Sequence, residues 1–192
     1  MDRWSKLYRK LQNVESEREA HERDAAQTRA AFEQWCRSAM ESVLQAVVER
    51  LQRRGDEFSQ HTGVRVVVDA PDRPPVEMGE GGPRMSFVRV SLGIAQVDLY
   101  LHREPGGLPI LHIVRSQSDP DQPPVSRRVD VIVSTPICVV TRRPDEGWEL
   151  HRVGASGAVE AGAAVMDVDE LVFELFELLV SIHTRATVGH EP

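Results

Sequence analysis

Apolar residues recur at helical spacing through most of the first 62 residues of the chain. A short stripe comes first, then a polar run over residues 15–29, then a longer stripe. The first stripe comprises Trp4, Leu7, Tyr8, Leu11 and Val14. The second comprises Phe32, Cys36, Ala39, Met40, Val43, Leu44, Val47, Val48, Leu51 and Phe58. Such spacings are typical of amphipathic helix, and Gly63 is the expected left-handed cap. The pattern therefore predicts helix up to Thr62.

Two interpretations of residues 3–62 are open. Asp24 and Gln27 form a possible capping box, which would begin a second helix and give a helical hairpin. Against this, heptad-like spacings of three and four run through Leu7, Leu11, Val14, Arg18, His21, Ala25, Thr28, Phe32 and Trp35. This second pattern favours one continuous or kinked helix. We expect residues 1–29 to form a helical arm, either continuous with the next helix or separate from it.

After Gly63 the hydrophobic period changes from 3.6 to 2, which predicts β-strands. The alternating stretches are residues 64–69, 84–92, 95–103, 108–115, 127–134, 137–142 and 148–153. Pro136 is expected to interrupt the later part of this pattern, because proline cannot donate a ladder hydrogen bond. Residues 70–83, with four prolines and three glycines, are interpreted as a loop.

Tight turns join most of these stretches, which favours antiparallel pairing. Pro105, Gly106 and Gly107 form one predicted turn. In a second turn, Pro144 presets the φ of a type I turn and Gly147 is expected to take the left-handed position. We therefore expect one antiparallel sheet of five to seven strands.

A C-terminal helix is predicted over residues 168–183, after a linker rich in glycine and alanine over residues 154–165. Asp167 and Glu170 have the spacing of a capping box at its start. Its polar residues form one narrow stripe, made of Glu170, Glu174, Glu177 and Ser181. A helix that is apolar over most of its circumference must be contacted from two sides. The second contact is expected from the long N-terminal helix or from another subunit.

These elements predict an α+β protein with an antiparallel sheet covered on one face. A long N-terminal helix or helical hairpin precedes the sheet, and the C-terminal amphipathic helix packs on one of its faces. The expected organisation is a helical arm at residues 1–29, an α+β domain at residues 30–184 and a disordered tail at residues 185–192.

Charge and composition narrow the classes of function. Residues 1–62 contain 11 basic and 11 acidic residues, so the remaining chain carries the whole net charge of −7. This acidic balance argues against nucleic acid as a partner. The chain shows no signal-peptide core and no apolar stretch long enough to span a bilayer, so we expect a cytoplasmic protein without membrane insertion. Cys36 and Cys138 are expected to be buried thiols, and neither a metal nor a cofactor is expected.

One group of residues on the predicted sheet could carry chemistry. If the turn at residues 105–107 is a three-residue loop, Tyr100 pairs with His112 and His102 lies diagonally near. Two imidazoles and a phenol could bind a small ligand or a metal, or serve as acid and base. The alternative interpretation is the solvated outer face of a half-buried sheet. No phosphate-loop, nucleophile-elbow or zinc-protease motif occurs, so no catalytic set is identified.

The sequence favours a non-catalytic assembly or adaptor protein that forms a homo-oligomer or binds a protein partner through its N-terminal helix. The candidate interface residues are Trp4, Leu7, Leu11 and Val14. The alternative hypothesis is a small-ligand- or metal-binding domain, or an enzyme, with its site around Tyr100, His102 and His112.

Overall fold

The computed structural model of the chain describes residues 3–69, 86–104, 106–117, 131–153 and 164–188. Its elements are α1 (Arg3–Thr62), β1 (Val66–Asp69), β2 (Ser86–Leu92), β3 (Ala95–His102), β4 (Ile110–Gln117), β5 (Val131–Arg142), β6 (Trp148–Arg152), β7 (Val165–Met166) and α2 (Val168–Val188). The α+β class, the long N-terminal helix and the C-terminal helix are confirmed. The predicted loop at residues 70–83, most of the linker (residues 154–163) and residues 189–192 lie outside the described residues.

α1 is one continuous helix, so Asp24 and Gln27 do not begin a second one. Its end is the predicted left-handed cap: Gly63 has a φ of 72°, and its N–H donates to the Ser59 carbonyl at 2.9 Å. The Ser59 hydroxyl then accepts a hydrogen bond from the Val66 N–H at 3.0 Å. This contact joins the last turn of α1 to the start of β1.

The chain divides into two compact units, Met1–Ser38 and Ala39–Pro192. Within the second unit, the seven strands form one sheet in the order β1 to β7. Each strand pairs antiparallel with the next along the chain. The prediction of one antiparallel sheet of five to seven strands is therefore confirmed.

Within the second unit, the later part of α1 and the whole of α2 cover the same face of this sheet. The covered face carries an apolar core that includes Val88, Val90, Leu92, Val97, Leu99, Leu101, Leu111, Val140, Leu150 and Met166. α2 adds buried Leu171, Val172, Leu175, Phe176 and Leu179. The indole N–H of Trp148, on β6, donates to the Ser42 hydroxyl of α1 at 2.9 Å. Packing of the C-terminal helix on one sheet face is confirmed.

Pro136 does not interrupt the sheet, contrary to the prediction, because β5 runs unbroken from Val131 to Arg142. Two local features accommodate the proline. β5 carries one extra residue directly after the proline, because His112 of β4 pairs with Pro136 whereas Leu111 pairs with Cys138. In addition, β6 pairs with β5 only from Cys138 onwards. A proline is tolerated where a strand has one ladder neighbour and a bulge.

The hairpin between β5 and β6 forms at the predicted place but with a different residue in the left-handed position. The Glu146 N–H donates to the Arg143 carbonyl at 3.1 Å, which closes the turn. Glu146 has a φ of 66°, whereas the prediction assigned positive φ to Gly147. The Gly147 N–H instead donates to the Asp145 carboxylate at 3.2 Å. That bond holds Asp145 against the glycine.

The ends of α2 also differ in detail from the prediction. The Asp167 carboxylate accepts the Asp169 N–H at 3.1 Å, as an N-cap does. The Glu170 carboxylate accepts a hydrogen bond from Arg152 of β6 at 3.1 Å instead of completing a capping box. The helix continues to Val188, beyond the predicted end at residue 183. β7, only two residues long, lies at the end of the stretch interpreted as a linker.

Candidate functional site

The first apolar stripe of α1, here called the N-terminal stripe, consists of Trp4, Leu7, Tyr8, Leu11 and Val14. Its side chains are 63%, 61%, 62%, 60% and 53% exposed, respectively. They share one side of the helix because they recur every three or four residues. The Trp4 and Tyr8 rings lie 6.4 Å apart, one helical turn from each other. The candidate interface residues are thus brought together on one accessible surface of the first unit.

Charges along the same helix are segregated by sign. Residues 3–10 contain four basic residues and no acidic one, whereas residues 15–24 contain five acidic residues and two arginines. Within the acidic segment, Arg18 lies 3.2 Å from Glu15 and 3.4 Å from Glu22. Every residue from 3 to 31 is exposed, so these pairs add little stability. The helix therefore carries a basic end and an acidic stretch beside the N-terminal stripe.

A cleft of about 790 Å³ lies in the second unit, between the end of α1 and α2. Its apolar floor is made of Phe58, Val172, Phe173, Phe176 and Val180, and its rim of Arg54, Glu57, His61, Asp169, Glu170 and Glu177. The Phe58 and Phe176 rings lie 5.4 Å apart. Phe173 is 62% exposed in this cleft. Sequence reasoning did not locate it, although the excess apolar surface of α2 was its signal.

Ion pairs hold α1 and α2 together along the rim of the cleft. Arg50 lies 2.5 Å from the Asp169 carboxylate, and Arg54 lies 3.3 Å from it. Arg54 also donates to Glu57 at 2.8 Å. These bonds, first to Glu57 and then to Asp169, raise the pKa of Arg54. Part of the expected second contact of α2 is therefore made by the end of α1.

The sheet face opposite the helices carries the second predicted site, here called the Tyr–His cluster (Tyr100, His102 and His112). Tyr100 lies directly opposite His112 in the β3–β4 register, as the turn length predicted. The His102 and His112 rings are 5.9 Å apart and nearly perpendicular. The structure therefore brings all three side chains together.

Burial shapes the chemistry of the cluster. Tyr100 is only 5% exposed, and its pKa is raised by burial and next by the nearby Asp98. Asp98 is held by two bonds from Arg89, at 2.9 and 3.1 Å. The pKa of His112 is lowered, first by burial and then by His102. At neutral pH the cluster therefore contains a neutral imidazole and an un-ionised phenol, and both groups can donate and accept hydrogen bonds.

The described part of the chain also contains potential metal ligands and two thiols. Among those residues, no group of three or more histidine, cysteine or acidic side chains is placed to hold a metal ion. Cys36 and Cys138 are buried thiols, as predicted. Burial raises the pKa of the Cys138 thiol to about 12, so this thiol is a poor nucleophile.

No helix among the described residues is long and apolar enough to cross a membrane.

The chain matches none of the family models, curated proteins or solved structures with which it was compared. Its function must therefore be argued from the geometry of its own surfaces.

Proposed function

We propose that the protein is a non-catalytic assembly protein that associates with a second copy of itself through the N-terminal stripe. The observation that carries this proposal is the exposure of all five stripe residues, each more than half accessible to solvent. Two aromatic and three aliphatic side chains on one helical surface form a contiguous apolar patch. Such a patch is typical of a protein-interaction surface.

Burial of the stripe provides the driving force for association. Removing a large apolar side chain from water contributes roughly 1.5–3 kcal/mol when burial is complete. Residues 15–29 contain no apolar side chain larger than alanine, so they contribute little to this free energy of burial. Short amphipathic helices with an apolar seam bury it by pairing with another helix. The stripe is therefore the part of the first unit that gains most from a partner.

Charge favours a second copy as that partner. A helix that carries both a basic end and an acidic stretch contains the complement of its own charges. Two identical helices can therefore satisfy each other without a different protein. The proposed compartment is the cytoplasm, in keeping with two buried cysteines that form no disulfide.

A second candidate function is small-ligand binding at the Tyr–His cluster. The observation that favours it is the convergence of a buried phenol and two imidazoles, with ring centroids of His102 and His112 at 5.9 Å. If the ligand of the cluster is a metal, calorimetry of a zinc titration measures its binding, and this measurement separates the second candidate function from assembly. Stoichiometric zinc binding that is lost in the His102→Ala and His112→Ala variants supports this second function.

The proposed assembly is tested by light scattering on two matched double variants of the full chain. Leu7→Glu with Leu11→Glu places two carboxylates on the stripe. Asn13→Glu with Ser16→Glu adds the same charge on the opposite side of the helix, where both residues are exposed. We expect the wild type and the Asn13/Ser16 variant to be dimers. The Leu7/Leu11 variant is expected to be a monomer with unchanged helix content, because its substituted side chains are exposed within the chain.

Two results would overturn the proposal. One is a wild-type chain that remains monomeric at all concentrations. The other is a Leu7/Leu11 variant that keeps the wild-type mass, because the stripe would then not form the interface. Circular dichroism on both variants separates dissociation from unfolding.

A further inference from the structure

Resting on the proposed self-association, we infer that the two N-terminal helices pair antiparallel, with Leu11 of one copy beside Val14 of the other. The heptad-like seam of α1 runs through Leu7, Leu11, Val14, Arg18 and His21. An antiparallel arrangement about this centre also sets Leu7 beside Arg18 and Trp4 beside His21 of the second copy. Arg18 and His21, the polar residues of this part of the seam, then each meet an apolar residue.

The seam itself disfavours the parallel arrangement. In a parallel pair, Arg18 would meet Arg18 of the second copy, and two like charges would share one layer. Beside Leu7, the methylene groups of Arg18 can cover the leucine while its guanidinium stays at the helix surface. There the guanidinium keeps its existing partners, Glu15 at 3.2 Å and Glu22 at 3.4 Å. The antiparallel layer therefore buries Leu7 without burying a charge.

Charges beside the seam point to the same orientation. An antiparallel pair lays the basic segment at residues 3–10 along the acidic segment at residues 15–24 of the second copy. In the register given above, Lys10 lies near Glu17 and Arg3 lies near Asp24 of the second copy. A parallel pair would instead lay basic segment along basic segment. Opposite charges beside an apolar seam set partner choice and orientation in paired helices.

The antiparallel arrangement has a consequence for the size of the assembly. Residue i of one copy meets residue j of the other, and j meets i, so the interface has two-fold symmetry. Such an isologous interface closes on itself and gives dimers rather than filaments. The N-terminal stripe of one copy is then fully covered by one partner copy.

Orientation is measured by electron-spin distances between labels placed at one engineered cysteine in each copy. Ser16→Cys lies near the centre of the proposed pair, and Gln27→Cys lies far from it; both native residues are exposed. With a rise of 1.5 Å per residue and helices about 10 Å apart, equivalent points on the two helix axes of the antiparallel pair lie about 15 Å apart at Ser16 and about 45 Å apart at Gln27. Labels at both sites point away from the seam, which lengthens both distances and leaves the one at Gln27 far longer than the one at Ser16. The wild-type chain is the labelling control, because its two cysteines are buried.

The two distances together decide the orientation of the paired helices. A short distance at Ser16 with a long distance at Gln27 supports the antiparallel pair. Equally short distances at both sites overturn it, because parallel helices keep equivalent residues together, while self-association itself would stand. The absence of any inter-copy coupling at Ser16 overturns both proposals. In the Leu7→Glu, Leu11→Glu background the coupling at Ser16 is expected to disappear.

Discussion

Gly55 lies in the interior of α1, where glycine costs about 1 kcal/mol relative to alanine. The structure gives the reason for this residue. A Cβ atom at Gly55 would lie 2.9 Å from Cγ1 and 3.3 Å from Cβ of Val66. β1 approaches the helix this closely because the Ser59 hydroxyl binds both the Gly55 carbonyl, at 2.7 Å, and the Val66 N–H, at 3.0 Å. Backbone proximity thus outweighs helix propensity at this position.

Gly55→Ala is therefore expected to destabilise the protein by about 1–2 kcal/mol, because valine is stiff at χ1 and cannot easily move aside. In a Val66→Ala background the same change should become neutral or stabilising, since the clash is gone and the propensity of alanine remains. Urea denaturation of the four proteins in this cycle provides the measurement. A stabilising effect of Gly55→Ala in the presence of Val66 would contradict the account.

Glu146 is a second residue whose backbone conformation conflicts with its type. Its φ of 66° costs about 1 kcal/mol for a residue with a Cβ atom, and glycine adopts it freely. The Glu146 carboxylate pairs with Arg142 at 2.7 Å, but this pair is at the surface and adds little. Glu146→Gly is therefore expected to raise the free energy of unfolding by about 0.5–1 kcal/mol.

Glu146→Ala is the matched control for that change. Alanine also loses the pair with Arg142 but keeps the strained φ, so it should be no more stable than the wild type. Thermal denaturation of both variants makes the comparison. If the glycine variant is not more stable than the alanine variant, backbone strain at Glu146 does not lower the free energy of unfolding.

For helices and strands, local sequence patterns predicted the features that depend only on residues close together in the sequence. The cap at Gly63 and the pairing of Tyr100 with His112 followed from periodicity and turn length. The passage of β5 through Pro136 did not, because it depends on where β6 begins to pair and on a bulge in β5 relative to β4. β7 was missed because two residues show no period.

The candidate sites also differ in whether they depend on residues close together or far apart in the sequence. The N-terminal stripe could be found from spacing alone, since it lies on a single helix. The cleft could not, because its floor brings Phe58 of α1 against Phe176 of α2, which are distant in sequence. Burial of Tyr100 was also not predicted, because strand alternation allowed a solvated outer face there.

The Tyr–His cluster on β3 and β4 predicts a pH dependence of stability. The pKa of His112 is lowered by burial and then by His102. Below the ordinary histidine pKa of about 6.5, the folded protein therefore binds fewer protons than the unfolded chain. The free energy of unfolding should consequently fall as the pH drops from about 6.5 through the lowered pKa of His112.

Denaturation at a series of pH values checks this dependence. His112→Gln should flatten the slope between neutral and mildly acidic pH, because glutamine does not titrate. His61→Gln, which replaces an exposed histidine at the end of α1, is the matched control for the substitution. An unchanged slope in the His112 variant would refute the effect.

At the scale of the whole molecule, the two units present different kinds of surface. The first unit exposes the five apolar residues of the N-terminal stripe, and the charges along its helix are separated by sign. The second unit holds the sheet core, the Tyr–His cluster and the cleft beside Phe173. The exposed stripe is the feature that most needs a partner, and this places assembly ahead of chemistry in the proposed function.

Sedimentation equilibrium of the unmodified full chain tests the central claim most directly. The mass is measured from micromolar to millimolar concentration at moderate salt. We expect a closed two-copy assembly, with a mass approaching twice the chain mass of 21.5 kDa and no higher species. A mass that stays at 21.5 kDa over the whole range would contradict it.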